Sequence, residues 1–236
     1  MFIPIVTKSQ HTTVHTNILW GAYSNTISFN KKWSLKSDVQ VRTKDWADKW
    51  VLYAIRTGLG YNINKHTTIT AGIALFRSAQ YQNNDLLFKN EWRPWEEISY
   101  EQKLKKTALL QRLRTEQRFV QQIVDNRKTN VYSYTFRLRY RFEWQFPIKK
   151  NAIKLVAGNE VLVNPGYLNS SLFFDQNRTF AGLNFKLSGN TNLQCQYTKI
   201  FLWRSTASIL EDQNIIRINF YQQFNIRKFS KSHKTA

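Results

Sequence analysis

The sequence predicts an all-β, antiparallel, up-and-down transmembrane β-barrel of about 12 strands, with 10 as the second choice. Three observations predict it. The stretch Val131–Phe146 places Tyr132, Tyr134, Phe136, Leu138, Tyr140, Phe142, Trp144 and Phe146 in one phase, and Arg137, Arg139, Arg141 and Glu143 in the other. Side chains alternate across a strand with period two, so one face is aromatic and the other charged. At roughly 3.3 Å per residue the run spans about 50 Å, far beyond an ordinary soluble strand. Connections that alternate short and long are the second observation. The third is an aromatic content of 15% with no window of 18 uncharged apolar residues, which excludes a transmembrane helix and leaves strands to cross a bilayer.

Eleven strands are legible in order. Asn17–Phe29 carries Tyr23, Ile27 and Phe29 in phase. Trp33–Lys44 sets Leu35, Val39 and Val41 against Lys36, Asp38, Gln40 and Arg42. Trp50–Asn62 sets Val51, Tyr53, Ile55 and Leu59 against Arg56, Gly58 and Gly60. Thr67–Arg77 has Ile69, Ala71, Ile73 and Leu75 on one face. In Trp92–Leu104, Ile98 and Tyr100 oppose Glu97, Ser99 and Glu101. Leu109–Val120 aligns Arg112, Arg114, Glu116 and Arg118. The central strand follows. Ala152–Val163 opposes Leu155 and Val161 to Lys154, Gly158 and Glu160. Asn177–Ser188 opposes Leu183 and Phe185 to Arg178. Asn192–Arg204 and a last strand around Ile216–Phe224 complete the series.

Short connections fall at 30–32, 62–66, 104–108, 147–151 and 189–191. Long ones fall at 45–49, 78–91, 121–130, 164–176 and 205–212. Outer-membrane barrels have short periplasmic turns and longer outer loops, and bacterial single-chain barrels have even strand numbers. An even count needs one more strand, and residues 2–15 are its only source. The domain reading is therefore an N-terminal segment over 1–16, one barrel over 17–226 and a basic tail over 227–236. Met1-Phe-Ile-Pro-Ile-Val has too short an apolar core for a secretory signal and no leading positive charge. A truncated start is the expectation.

The net charge is +20. Lysines crowd into turns and the tail, and arginines alternate with apolar residues inside strands. No basic helix or nucleic-acid motif accompanies them, so nucleic acid is not expected as a partner. Cys195 is alone, so no intrachain disulfide forms. The candidate site is a luminal charge network of Glu97, Glu101, Arg112, Arg114, Glu116, Arg118, Arg137, Arg139, Arg141, Glu143, Glu160 and Arg178. Its residues share the polar phase of neighbouring strands, so Arg–carboxylate pairs across the wall are expected. Such a network is either a selectivity lining or a salt-bridged filling that sets register, and a narrow lumen favours the filling.

Catalysis is not expected. Glu96 and Glu97 point to opposite faces, so they do not converge. A lipid-cleaving barrel would need an activated serine with a base, and His11, His15, His66 and His233 fall in weakly patterned, turn or tail segments. No histidine spacing suggests a metal, and no cofactor is expected. The alternatives are an outer-membrane lipid-modifying enzyme and a soluble ligand-binding barrel. The second would have to bury either the aromatic face or unpaired charge.

The stretches Arg93-Pro-Trp-Glu-Glu, Arg114-Thr-Glu-Gln-Arg-Phe119, Arg137-Leu-Arg-Tyr-Arg141, Asn159-Glu160 and Phe174-Asp-Gln-Asn-Arg178 with Gly182 resemble a bacterial family. That family is the outer-membrane domain of unknown function 2490. Trp20 and Asn30-Lys-Lys-Trp33 are similar too, and the resemblance runs from about residue 17 onward. It implies a Gram-negative source, Bacteroidota among the candidates, and an outer-membrane barrel exported through the periplasm. It implies no activity and no catalytic residues. Outer-membrane lipid, lipopolysaccharide and the barrel-assembly machinery are the expected partners of a monomer, with a small solute in the lumen.

Overall fold

A strand with one apolar and one charged face needs a hydrogen-bonding neighbour on each side, and here every strand has two. The structure, a computed structural model, describes residues 12–45, 47–82, 85–149, 152–167, 172–204 and 209–226. Eleven strands form: β1 (Thr12–Ser28), β2 (Trp33–Lys44), β3 (Lys49–Asn62), β4 (Thr67–Gln82), β5 (Asp85–Lys103), β6 (Ala108–Val124), β7 (Arg127–Lys149), β8 (Ile153–Val163), β9 (Phe174–Lys186), β10 (Thr191–Arg204) and β11 (Ile209–Asn225). Each pairs with its sequence neighbour, and β1 pairs with β11, so the barrel is closed and has no free edge.

Two expectations are corrected here. The barrel closes with 11 strands rather than 12, and it is not antiparallel throughout. β1 and β11 both run toward the short-turn end, so with an odd number the closing pair is parallel, in unbroken register from Thr12↔Ile209 to Ser28↔Asn225. A parallel ladder satisfies the same backbone groups with slanted bonds. Of the residues expected to supply a further strand, 12–15 begin β1, and 1–11 lie outside the described residues. β1 therefore includes residues 12–16, ahead of the strand start expected at Asn17. The tail over 227–236 is also outside the described residues.

The connections differ in length from the expected pattern. The five at the end holding Ser28 and Trp33 are short, as expected. At the opposite end, 78–91 and 121–130 are not loops. β4 continues to Gln82 and β5 starts at Asp85. β6 and β7 meet at Asp125-Asn126, whose φ angles of 47° and 58° are those of a type I′ hairpin turn. Here the polar residues remain in strands, and their apolar/polar alternation fades, so no period marked them as strand. Between β8 and β9 the described residues include a 3₁₀ turn at Pro165–Tyr167.

The two faces segregate along most of the wall. The exceptions are two inward apolar clusters, one of Ile18, Trp20, Ile200 and Ile215 and one of Ala54, Ala74, Phe76 and Trp95. One apolar line crosses all 11 strands in register: Ile153, Phe185, Leu193, Phe220, Tyr23, Val39, Ile55, Leu75, Trp92, Phe119 and Tyr134. These side chains point outward, and Val39 and Ile55 are each 53% exposed. An inward line in the other phase runs Gly58, Gly72, Trp95, Glu116 and Arg137. Gly58 and Gly72 face each other across β3 and β4, and the Trp95 indole lies where their side chains would be. A Cβ on Gly72 would overlap the Thr57 carbonyl oxygen and Gly58 Cα, so this part of the wall has to stay bare.

The luminal charge network as candidate functional site

The site grows from strand register. β6 and β7 set Arg114 opposite Arg139 and Arg112 opposite Arg141, pairs that repel when left alone. Carboxylates in the same phase of the flanking strands resolve this. Glu116, 1% exposed, accepts from Arg137 Nε at 2.9 Å and from Arg139 Nη1 at 2.6 Å. Arg93 and Arg114 approach the same carboxylate at 3.4 and 3.9 Å. Glu160, on β8, accepts from Arg112 at 2.6 Å, Arg139 at 2.8 Å and Arg178 at 3.2 Å. Arg139 thus bridges both buried glutamates. Glu97 accepts a forked pair from Arg114 at 2.9 and 2.5 Å and lies 3.6 Å from Arg112. Glu143 accepts from Arg141 at 2.7 Å. These are charge-assisted, planar contacts that suit a guanidinium.

Of the residues expected in the lumen, the structure brings together Glu97, Arg112, Arg114, Glu116, Arg137, Arg139, Glu160 and Arg178. Arg141 and Glu143 form their own pair beside them. Arg118 pairs with Glu91 at 2.6 Å, and Arg93 forks onto that same carboxylate. Glu101 lines the cavity near His66 and Tyr100 and joins none of these ion pairs among the described residues. Sequence reasoning missed Glu91 and Arg93, which lie four and two residues before Trp95 in the phase it shares with Glu97. It also missed Asp175, which takes Arg137 Nη1 at 2.9 Å, and the Asp38–Arg56 pair at 2.7 Å. Matching polar phases across β2 and β3 would have found that last pair.

Aromatic rings inside the lumen carry the guanidiniums. Arg93 stacks over Phe76 at 3.8 Å, Arg114 over Trp95 at 4.4 Å and Arg141 over Phe180 at 4.0 Å. Arg42 and Arg217 stack over Trp20 at 3.6 and 4.3 Å. Stacking holds each planar cation with its terminal nitrogens free for a carboxylate or an anion.

A cavity of about 1140 Å³ runs through the lumen. Fourteen Lys and Arg side chains line it against five Glu, so its wall is strongly cationic even with the network paired. Lys31, Lys32 and Lys65 stand at the short-turn end, and Leu52, Phe76 and Ser78 mark its far reach. His15, expected in an unpatterned segment, lies on β1 on the outer wall. Its Nδ1 is 3.2 Å from Asp212, which also takes Lys199 at 2.6 Å. No hydroxyl is hydrogen-bonded to that ring among the described residues.

Three solved structures are similar in outline, each 12% identical to this chain. A NanC porin aligns with TM-score 0.46 over 79% of this chain and 88% of its own. The siderophore receptor PirA and the ferric enterobactin receptor PfeA, both from Pseudomonas aeruginosa, align with TM-scores 0.33 and 0.35 over 74% and 73% of this chain. The chain spans 32% and 35% of those two receptors. No curated protein matches the chain. The family model described as protein of unknown function DUF2490 matches residues 17–211, and the chain belongs to that family.

Proposed function

We propose that the protein is an outer-membrane β-barrel whose lumen is a narrow, anion-selective passage for small solutes. The single observation that carries this reading is the excess of cationic over anionic side chains along the luminal cavity. Rings of cationic side chains favour anions in pores. The paired network on β5–β9 serves as wall: its carboxylates are consumed by arginines and it fixes register. The passage runs alongside it. The outward apolar line supports a lipid surround, because 11 strands presenting Val, Ile, Leu and aromatic side chains to water would be an extreme exposed patch. Outer-membrane lipid and lipopolysaccharide are the neighbours this surface suits.

Zero-current potential in a planar bilayer under a salt gradient tests the passage. The expected result is stepwise conductance with a potential of the sign set by chloride crossing faster than potassium. Absence of conductance steps, or a potential of cation-selective sign, overturns it.

A further inference from the structure

The two sides of the lumen are built differently. On the β5–β9 side each arginine of the network has a carboxylate within ion-pair distance. On the β10–β11–β1–β2 side it is otherwise. Arg217, Trp20 and Arg42 lie in one register line, on β11, β1 and β2. Their guanidiniums stack on the same indole. Neither arginine forms an ion pair with a carboxylate among the described residues. The Nε atoms of both are enclosed and without a hydrogen-bond partner. Their terminal nitrogens are therefore the binding ends, and all three residues line the cavity.

Trp20 packs on one side against Ile18, Ile200 and Ile215, and neutral polar side chains of β10 stand beside it. Gln196 faces Arg217 across β10 and β11 and donates to Thr198 at 2.7 Å. Gln194 donates to Gln196 at 3.1 Å. Asp38, the carboxylate on β2, is already held by Arg56 and by Gln40 at 2.8 Å. Two guanidiniums fixed one strand apart on either side of a ring repel each other. Enclosed cations of this kind are stable only with a compensating anion. Among the described residues no carboxylate ion-pairs with either arginine, and Asp38 and Glu143 are already held by Arg56 and Arg141.

From this we infer that Arg42 and Arg217, braced on Trp20, form an oxyanion-binding subsite within the lumen. Carboxylate and phosphate both match the fork of a guanidinium. The ligand class is a small solute bearing one such group, with Gln194, Gln196 and Thr198 beside it for hydroxyl or amide functions. The inference rests on the reading of the lumen as an anion passage.

Calorimetric titration of the folded protein in detergent micelles tests it, with sodium acetate and inorganic phosphate as probes at fixed ionic strength and acetamide as the neutral control. The expected result is saturable binding of at least one of the two anions and none of acetamide. Affinity should fall at least about tenfold in the Arg42→Gln/Arg217→Gln variant, as expected for losing charge-assisted hydrogen bonds. Removing the same two charges at the mouth, by Lys31→Gln/Lys32→Gln, should change it by less than about twofold, because exposed charges are screened. Arg42→Lys/Arg217→Lys keeps the charge and the fold but removes the fork, and an intermediate loss is expected. Three results overturn the subsite: no saturable binding to the natural protein, unchanged binding in both arginine variants, or an equal loss in the mouth variant. Anion-selective conductance without saturable binding removes the subsite and leaves the passage. Saturable binding without conductance does the reverse.

Discussion

Replacing Glu116 with Ala should destabilise the barrel by about 3–5 kcal/mol, the cost of breaking a buried pair and leaving its cations uncompensated. Glu116 is 1% exposed and Arg137 3%. Four guanidiniums converge on the one carboxylate, so its loss leaves like charges facing each other with little water to screen them. Glu116→Gln keeps one acceptor oxygen and should cost roughly half as much, since a neutral acceptor forms the weaker bond. Urea unfolding of the refolded protein in micelles measures both. The contrast is Asp45–Lys49, 4.0 Å apart with both side chains half exposed. Removing that pair should change stability by less than about 1 kcal/mol. If Glu116→Ala unfolds at the same urea concentration as the natural protein, the network is not what holds β5–β9 together.

The second large effect lies on the outer face. Ile55 sits midway along β3, in register with Val39 and Leu75, and is 53% exposed to the surroundings of the barrel. Ile55→Arg should cost about 2–4 kcal/mol if those surroundings are the bilayer midplane. On a water-facing surface the same change should stay within about 0.5 kcal/mol. Folding into vesicles of fixed composition, followed by denaturant titration, separates these. A cost below about 1 kcal/mol would place the row in water.

Much of this architecture is legible in the residues because period two is rigid. Once Arg137, Arg139 and Arg141 share a phase, they share a face, and Glu116 and Glu160 on the neighbouring strands are their natural partners. That logic fails where both phases carry similar residues. Trp20, Phe76, Trp95 and Phe180 point inward although they are apolar, because the arginines need rings to lie against and Gly58, Gly72 and Gly158 leave room for them. Trp95 shares a phase with Glu97 and Phe180 with Arg178, and position alone would have placed those two; Trp20, flanked in phase by Ile18 and Ala22, carries no such signal. The strands of β4–β7 beyond the apolar belt carry polar residues in both phases, so their extent was hidden. The parallel closure of β1 on β11 depends on residues about 200 positions apart, and nothing local to either strand encodes it. For the same reason the Arg42–Trp20–Arg217 line, which crosses that seam, could not be assembled from the sequence.

The central claim is an inside-out arrangement, with apolar side chains against lipid and charge around a wet interior. Spin labels read it position by position. With Cys195 replaced by Ala, single cysteines at Val39, Ile55 and Leu75 on the outer row, and at Lys36 and Thr68 on the cavity wall, would be labelled after folding into vesicles. Relaxation by dissolved oxygen and by a water-soluble nickel chelate would then be compared at each. The account predicts that oxygen dominates at Val39, Ile55 and Leu75 and nickel dominates at Lys36 and Thr68. Nickel dominating at the outer row would contradict it.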